Sequence, residues 1–131
     1  MKRILNFLLI FGSIATASVK EDLSIVEEFV NKQTPYVSKE YTIDKAVQIG
    51  DRFLLYMSLN NEKISLFNVS RGLKNSLCYN PVISDYLKKG VSFGYIVKNR
   101  KNYMILIDDH TCKLYKNKVE IENKIKKFTE D

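Results

Sequence analysis

The sequence predicts an α+β fold in which an N-terminal helix and short helices cover one face of an antiparallel sheet of two hairpins. Its 131 residues, 45% hydrophobic and 27% charged, have the composition of a globular domain and suffice for one domain. Four segments alternate apolar and polar residues, and others repeat apolar residues at helical spacing. The predicted order is α-β-β-α-α-β-β followed by a C-terminal tail helix. The length does not fit a multidomain enzyme with separate cofactor and substrate domains.

The first 17 residues have the three parts of a signal peptide. Lys2 and Arg3 form a positive end, an apolar run follows, and Ala15-Thr16-Ala17 supplies the small residues that signal peptidase accepts. The run is shorter than the roughly 20 residues that span a bilayer. We therefore expect cleavage between Ala17 and Ser18, with export to the periplasm or beyond, and no membrane span in the mature chain.

The mature chain would carry a modest excess of basic side chains. Of the 21 basic residues in the whole chain, 19 would remain after cleavage, against 15 acidic ones. The basic residues are scattered along the sequence instead of gathered between aromatic residues, which argues against nucleic-acid binding. Attraction to an anionic surface or to an acidic partner stays open.

Cys78 and Cys112 are the two cysteines of the chain. An even number of cysteines in an oxidising compartment predicts a disulfide, and closing this loop stabilises a domain by roughly 3–4 kcal/mol. Two free thiols in a metal site or a catalytic role are the alternative.

The N-terminal helix is predicted over residues 19–33. Its apolar stripe is Val19, Leu23, Val26 and Val30, widened by Ile25 and Phe29, and acidic residues including Asp22 fill the solvent face. Pro35 ends this helix.

Two strands are predicted next, over residues 41–49 and 53–59. Tyr41, Ile43, Val47 and Ile49 share one face of the first strand. A three-residue loop from Gly50 would place Ile49 opposite Phe53 and so match the apolar faces of both strands.

Two helices are predicted next, the first over residues 65–77 and the second over residues 81–89. The first would bury Phe67, Leu73 and Leu77 on one face. The second has strong boundary signals, because Asn80 is a good N-cap and Gly90 a good C-terminal stop. Strands over residues 91–98 and 102–109 then form the second hairpin. Residues 18–112 would make one α+β domain, and residues 113–131 a basic tail or short helix with Ile121, Ile125 and Phe128 at helical spacing.

The second half of the chain carries a Cys-x-Asn-Pro … Gly-Val … Tyr … Cys pattern at Cys78, Asn80-Pro81, Gly90-Val91, Tyr95 and Cys112. The pattern resembles that of small exported proteins of Gram-negative bacteria, most of which have no assigned function. The resemblance covers most of residues 19–112 and implies a cystatin-like or pilotin-like α+β fold. The lipid-attachment cysteine that secretion pilotins usually carry is absent from this sequence.

The densest polar cluster runs from Asp108 to Cys112. In a strand, Asp108, His110 and Cys112 would share a face, a mixture of ligands that suits a transition metal. Three ligands are too few for a closed zinc site, and a disulfide would remove Cys112. We therefore expect no metal, no cofactor and no catalytic residue. A small hydrolase or metal-dependent enzyme around Asp108, Asp109 and His110 is the less favoured alternative.

A partner-binding surface is predicted at Leu54 and Tyr56, on the sheet face opposite the core, with Arg100 and Lys101 at the tip of the second hairpin. An exposed aromatic residue on a sheet face is typical of a protein interface, although a second minor core under the tail helix would also explain Tyr56. The function expected is that of an exported, non-enzymatic interaction domain with a protein partner: a chaperone, assembly factor, inhibitor or immunity-type protein. A secreted effector or toxin-like factor is the alternative.

Overall fold

The computed structural model describes residues 19–129, which contain four helices and five strands. In chain order they are α1 (Val19–Lys32), β1 (Tyr36–Val37), β2 (Tyr41–Ile49), β3 (Arg52–Leu59), α2 (Leu66–Cys78), α3 (Pro81–Lys88), β4 (Ser92–Val97), β5 (Tyr103–Ile107) and α4 (Asp109–Thr129). The α+β class and the order of the main elements are confirmed, with β1 as a short addition. The predicted signal segment and its cleavage site lie outside the described residues.

The strands form one mixed sheet in the order β1-β2-β3-β4-β5. The expected all-antiparallel sheet is wrong at one position, because β3 and β4 are parallel while the other neighbours are antiparallel. A parallel neighbour requires a long crossover connection, and α2 with α3 supplies it. Apolar alternation carries no strand direction, so the sequence could predict each hairpin but not how the two hairpins join.

The first hairpin turns through two residues, Gly50 and Asp51, so the expected three-residue loop is wrong. Ile49 lies opposite Arg52 instead of Phe53. Gly50 has a φ of 64°, the left-handed conformation that two-residue hairpin loops favour. The tight turn therefore sets a register that brings polar and apolar residues opposite each other.

A β-bulge at Asp44 restores the burial of β2. It shifts the register so that Ile43 lies opposite Met57 in the core. Beyond the bulge Ala46 is buried, whereas Val47 lies on the other face, so the expectation that Val47 shares the face of Ile43 is wrong. One extra residue inverts the faces of a strand, which explains how β2 keeps its core contacts despite the short turn.

Side chains of α1 cover the edge of β2 that the short β1 leaves unpaired. The amide of Asn31 donates to the carbonyl of Ala46 at 2.8 Å and accepts from the Ala46 N–H at 2.8 Å. The Glu27 carboxylate accepts from the N–H of Gln48. These bonds satisfy backbone groups that an open edge would offer to another chain, and they fix α1 beside the sheet.

The core lies between the helices and one face of the sheet. The buried residues of α1 include Leu23, Val26 and Val30, as expected. Ile25 and Phe29, which we expected to widen this stripe, are exposed. The buried surface of α1 is therefore narrower than its sequence indicates.

Asp22 is the one buried charged residue of the described chain, at 5% exposure, although the sequence places it on the solvent face. Its Oδ2 accepts a hydrogen bond of 2.7 Å from the Tyr86 hydroxyl, which links α1 to α3. Burial, together with this bond to Asp22, raises the pKa of Tyr86 to about 12. Within residues 19–129 the Oδ1 atom of Asp22 has no hydrogen-bond partner. The hydrogen bond from Tyr86 to Oδ2 is therefore the one that offsets the cost of burying this carboxylate.

The predicted disulfide between Cys78 and Cys112 is present. It joins the last residue of α2 to the first turn of α4, and both cysteines are buried. The tail predicted as a short or frayed helix is instead the 21-residue helix α4, whose one buried residue is Cys112. The disulfide is therefore the main attachment of α4 to the core.

Candidate partner-binding groove

Helices α2 and α4 lie side by side and antiparallel. Their contacts, in order along α4, are Cys112 with Cys78, Tyr115 with Asn75, and Glu122 with Arg71. The Tyr115 hydroxyl donates to Asn75 Oδ1 at 3.3 Å, and the Arg71 guanidinium lies 2.9 Å from the Glu122 carboxylate. Positions rise along α4 as they fall along α2, which defines the antiparallel arrangement.

A groove of about 500 Å³ runs between these two helices, and we call it the α2–α4 groove. Its apolar lining comes from α2, β5 and α4, and consists of Leu66, Phe67, Tyr103, Leu114, Tyr115 and Val119. Phe67, Tyr103 and Leu114 are each more than half exposed. Large apolar side chains gathered in a concave, solvent-exposed surface are typical of binding sites.

The charged lining of the groove is mostly positive. Arg71, Lys74 and Lys118 lie along it, and Glu122 is its carboxylate, already paired with Arg71. The Lys118 ammonium lies 5.9 Å from the centre of the Phe67 ring, within reach of a cation–π interaction. The groove therefore complements apolar side chains that have carboxylates beside them.

Leu54 and Tyr56, the predicted partner residues, lie on the sheet face opposite the core. Leu54 is only 9% exposed and packs over Gly94, where an added Cβ would come within 2.8 Å of Leu54 Cδ2. Tyr56 is half-buried under the Lys45 ammonium, which lies 4.8 Å from the ring centre. The tail helix packs against α2, α3 and β5 instead of this face. A partner role for the two residues stays a prediction.

Arg100 and Lys101 lie at the tip of the second hairpin, as predicted. The Arg100 guanidinium donates to the carbonyls of Asn61, Glu62 and Ile64 at 3.0–3.2 Å, and so holds the loop before α2. Lys101 is exposed with a φ of 60°. The structure gives Arg100 a structural role and leaves Lys101 available to solvent.

The Asp108–Cys112 cluster begins α4 instead of ending a strand, so the expected shared face is wrong. Asp108 caps the helix by accepting from the Thr111 N–H at 2.7 Å, and Asp109 pairs with Lys113 at 3.0 Å. His110 is exposed. Across residues 19–129, no three His, Cys, Asp or Glu side chains gather in a way that could hold a metal ion.

The groove residues are largely those that sequence reasoning did not select. Phe67 was expected in the core but is 62% exposed, because the buried stripe of α2 is Val69, Leu73 and Leu77. Phe67 falls outside this four-residue spacing, so the sequence itself contains a signal that Phe67 is exposed. The α4 wall could not be predicted in the same way, because it exists only once the disulfide brings α4 beside α2.

Comparison with known proteins shows which fold this is. No protein-family model and no curated protein matches the sequence. Among solved structures, the type II secretion system pilotin AspS from Vibrio cholerae superposes with a TM-score of 0.58 and 19% identity, covering 72% of this chain and 92% of the pilotin. A candidate secreted protein of Pseudomonas aeruginosa reaches a TM-score of 0.47 and 17% identity over 75% of this chain and 99% of that protein.

The similarity to the pilotin is one of fold. The shared architecture confirms the pilotin-like α+β arrangement that the cysteine and proline pattern implies. None of the helices within residues 19–129 is both long and apolar enough to cross a membrane.

Proposed function

We propose that this protein is an exported, non-enzymatic interaction domain that binds a segment of a protein partner in the α2–α4 groove. The observation that carries the proposal is the groove itself, in which exposed aromatic and aliphatic side chains lie beside three cations. Natural interfaces combine an apolar centre with a polar rim in this way. The partner segment would present apolar side chains flanked by Asp or Glu.

Two further observations support export and a role in secretion. The buried disulfide fits folding in an oxidising compartment, in agreement with the predicted signal segment. The fold is similar to that of a type II secretion system pilotin, which favours an assembly role among the interaction functions expected from the sequence.

Site-specific photocrosslinking tests the groove. A photoreactive phenylalanine analogue would replace Phe67 in the groove, and the matched control would carry it at Phe29, an exposed phenylalanine of α1. We expect a single major protein adduct from position 67 in intact cells and little from position 29. The crosslinked peptide, mapped by mass spectrometry, should contain apolar residues flanked by acidic ones.

A charge reversal tests the recognition chemistry. Lys118→Glu should reduce the adduct at position 67 by roughly tenfold, because it places a carboxylate beside the acidic groups of the partner. Lys39→Glu makes the same change at an exposed site away from the groove and should leave the yield unchanged. Equal yields from all three proteins would contradict the proposal.

The Leu54–Tyr56 surface is the other proposed partner site. Photocrosslinking also distinguishes this surface from the α2–α4 groove. A photoreactive analogue at Tyr56 should give no major adduct if the groove is the interface. A major adduct from position 56, with none from position 67, would place the interface on the sheet face instead.

A further inference from the structure

The distal part of α4 carries an apolar stripe whose residues are each more than half exposed within residues 19–129. We call Ile121, Ile125 and Phe128 the distal stripe. Their side chains are 51%, 59% and 84% exposed, and residues 123–129 are all exposed. Large apolar residues on the helix of a globular protein normally face its core. An exposed stripe of them indicates a surface that binds another molecule.

Lysines border the distal stripe on both sides. At 3.6 residues per turn, the three apolar residues fall within an arc of about 60°, and Lys118 and Lys124 lie about 60° to either side of its centre. Lys126 and Lys127 lie farther around the same turns. The whole helix has six lysines against three acidic residues.

The two acidic residues in the distal turns of α4, within residues 19–129, lie to the sides of the stripe. Glu120 and Glu122 lie about 100° from its centre, on opposite sides. Glu122 is held by Arg71, and Glu120 pairs with Lys124 at 3.4 Å, an exposed pair that contributes little. Within residues 19–129, the stripe and its borders therefore present apolar and cationic groups without an unpaired carboxylate between them.

We propose that the distal stripe docks on the surface of an anionic phospholipid bilayer. An interfacial helix places its apolar side chains at the boundary of headgroups and acyl chains, with lysines beside them contacting lipid phosphates. The exposed distal stripe and its flanking Lys118 and Lys124 match this arrangement in both polarity and geometry. α4 would lie parallel to the membrane plane and would not cross the bilayer.

Charge argues against a second copy of this chain as the occupant. A symmetric pairing of two distal stripes would bring the Lys118 and Lys124 side chains of both copies to one seam, and like charges across a helical seam are destabilising. The bilayer proposal does not depend on the proposed function. Ile125 and Phe128 lie beyond the groove lining, which ends at Glu122 along α4, and Ile121 is not among the lining residues. Lys118 borders both the groove and the distal stripe.

Vesicle co-sedimentation of the purified protein tests the proposal. We expect binding to vesicles of phosphatidylcholine mixed with phosphatidylglycerol, weaker binding to phosphatidylcholine alone, and a decline as salt screens the lysines. The double variant Ile125→Ser/Phe128→Ser should lower the partition coefficient by roughly tenfold or more, because two apolar anchors are lost.

The chain offers a matched control on α1. Ile25→Ser/Phe29→Ser removes the same two side-chain types from exposed positions of another helix and should change binding by less than about twofold. Melting temperatures of both double variants should equal that of the unmodified protein, because all four side chains are exposed.

Three results would each overturn the proposal: the protein fails to bind anionic vesicles, it binds neutral and anionic vesicles equally, or the two double variants lose vesicle binding to the same extent. A dimer seen by light scattering that only Ile125→Ser/Phe128→Ser dissolves, without vesicle binding, would assign the stripe to a second copy.

Discussion

Removal of the disulfide is expected to lower the stability of this protein by several kcal/mol. The change is the double variant Cys78→Ala/Cys112→Ala, which leaves no free thiol. Alanine is preferred to serine because both positions are buried, where a serine hydroxyl would need a hydrogen-bond partner.

The magnitude follows from the loop that the bridge closes. The two cysteines are 34 positions apart, and the chain-entropy relation gives about 3.8 kcal/mol at 25 °C for a loop of this size. For a domain of this length, whose unfolding entropy is about 2.1 cal/mol/K per residue, this corresponds to a fall in melting temperature of roughly 15 °C. Loss of the buried sulfur atoms adds to the effect in the same direction.

Thermal unfolding followed by circular dichroism measures this fall, and the unmodified protein in reductant is its control. The reduced protein and the double variant should melt at similar temperatures, both well below the oxidised protein. Hydrogen exchange should show the largest loss of protection in α4, because Cys112 is its one buried residue. A fall of less than about 5 °C would refute the view that the disulfide is the main attachment of α4.

Two further predictions concern α3. Asn80→Ala should lower the free energy of unfolding by about 1 kcal/mol, because Asn80 Oδ1 accepts from the N–H groups of Val82 and Ile83 at 3.0 Å each. Asn80→Asp, which keeps the acceptor, should retain most of the stability in urea titrations, and equal losses in both variants would contradict the capping role. The raised pKa of Tyr86, about 12 in the folded protein, means that the unfolded chain loses this proton first. The contribution of Tyr86 to the free energy of unfolding is therefore complete below pH 10 and is lost between pH 10 and 12. Tyr86→Phe should make that decline shallower while lowering stability at pH 7, since Asp22 loses its hydrogen bond. An unchanged alkaline slope would refute this assignment.

The sequence predicts those parts of the fold that local interactions determine. The bounds of α3 follow from Asn80, Pro81 and Gly90, and the structure shows the cap, the proline at the first turn and a φ of 98° at the glycine. Each of these signals acts within one or two turns of the chain. Helix boundaries set by such local signals can therefore be predicted from one sequence.

The features that were predicted wrongly depend on contacts between distant residues. The bulge at Asp44 serves the packing of β2 on the helices, and nothing near it in the sequence requires it. Asp22 looks like a solvent-facing residue until Tyr86, on a helix far along the chain, is placed against it. The α2–α4 groove has the same origin, because its two walls are joined by contacts between residues far apart in the sequence: the Cys78–Cys112 bridge and the Arg71–Glu122 ion pair.

The structure of α4 allows the two proposals to be separated in one experiment. The helix is held by the Asp108 cap, by the disulfide and by the Arg71–Glu122 ion pair, all of which precede its distal turns. A chain that ends after Asn123 keeps every groove residue through Glu122 but lacks two of the three residues of the distal stripe. We expect it to give the photocrosslinked adduct at position 67 in full yield and to lose at least about tenfold in binding to anionic vesicles, as hydrophobic and lysine contacts disappear together. If the truncated chain kept its melting temperature but lost the adduct as well, the stripe would belong to the protein-binding site, and the two surfaces would be one.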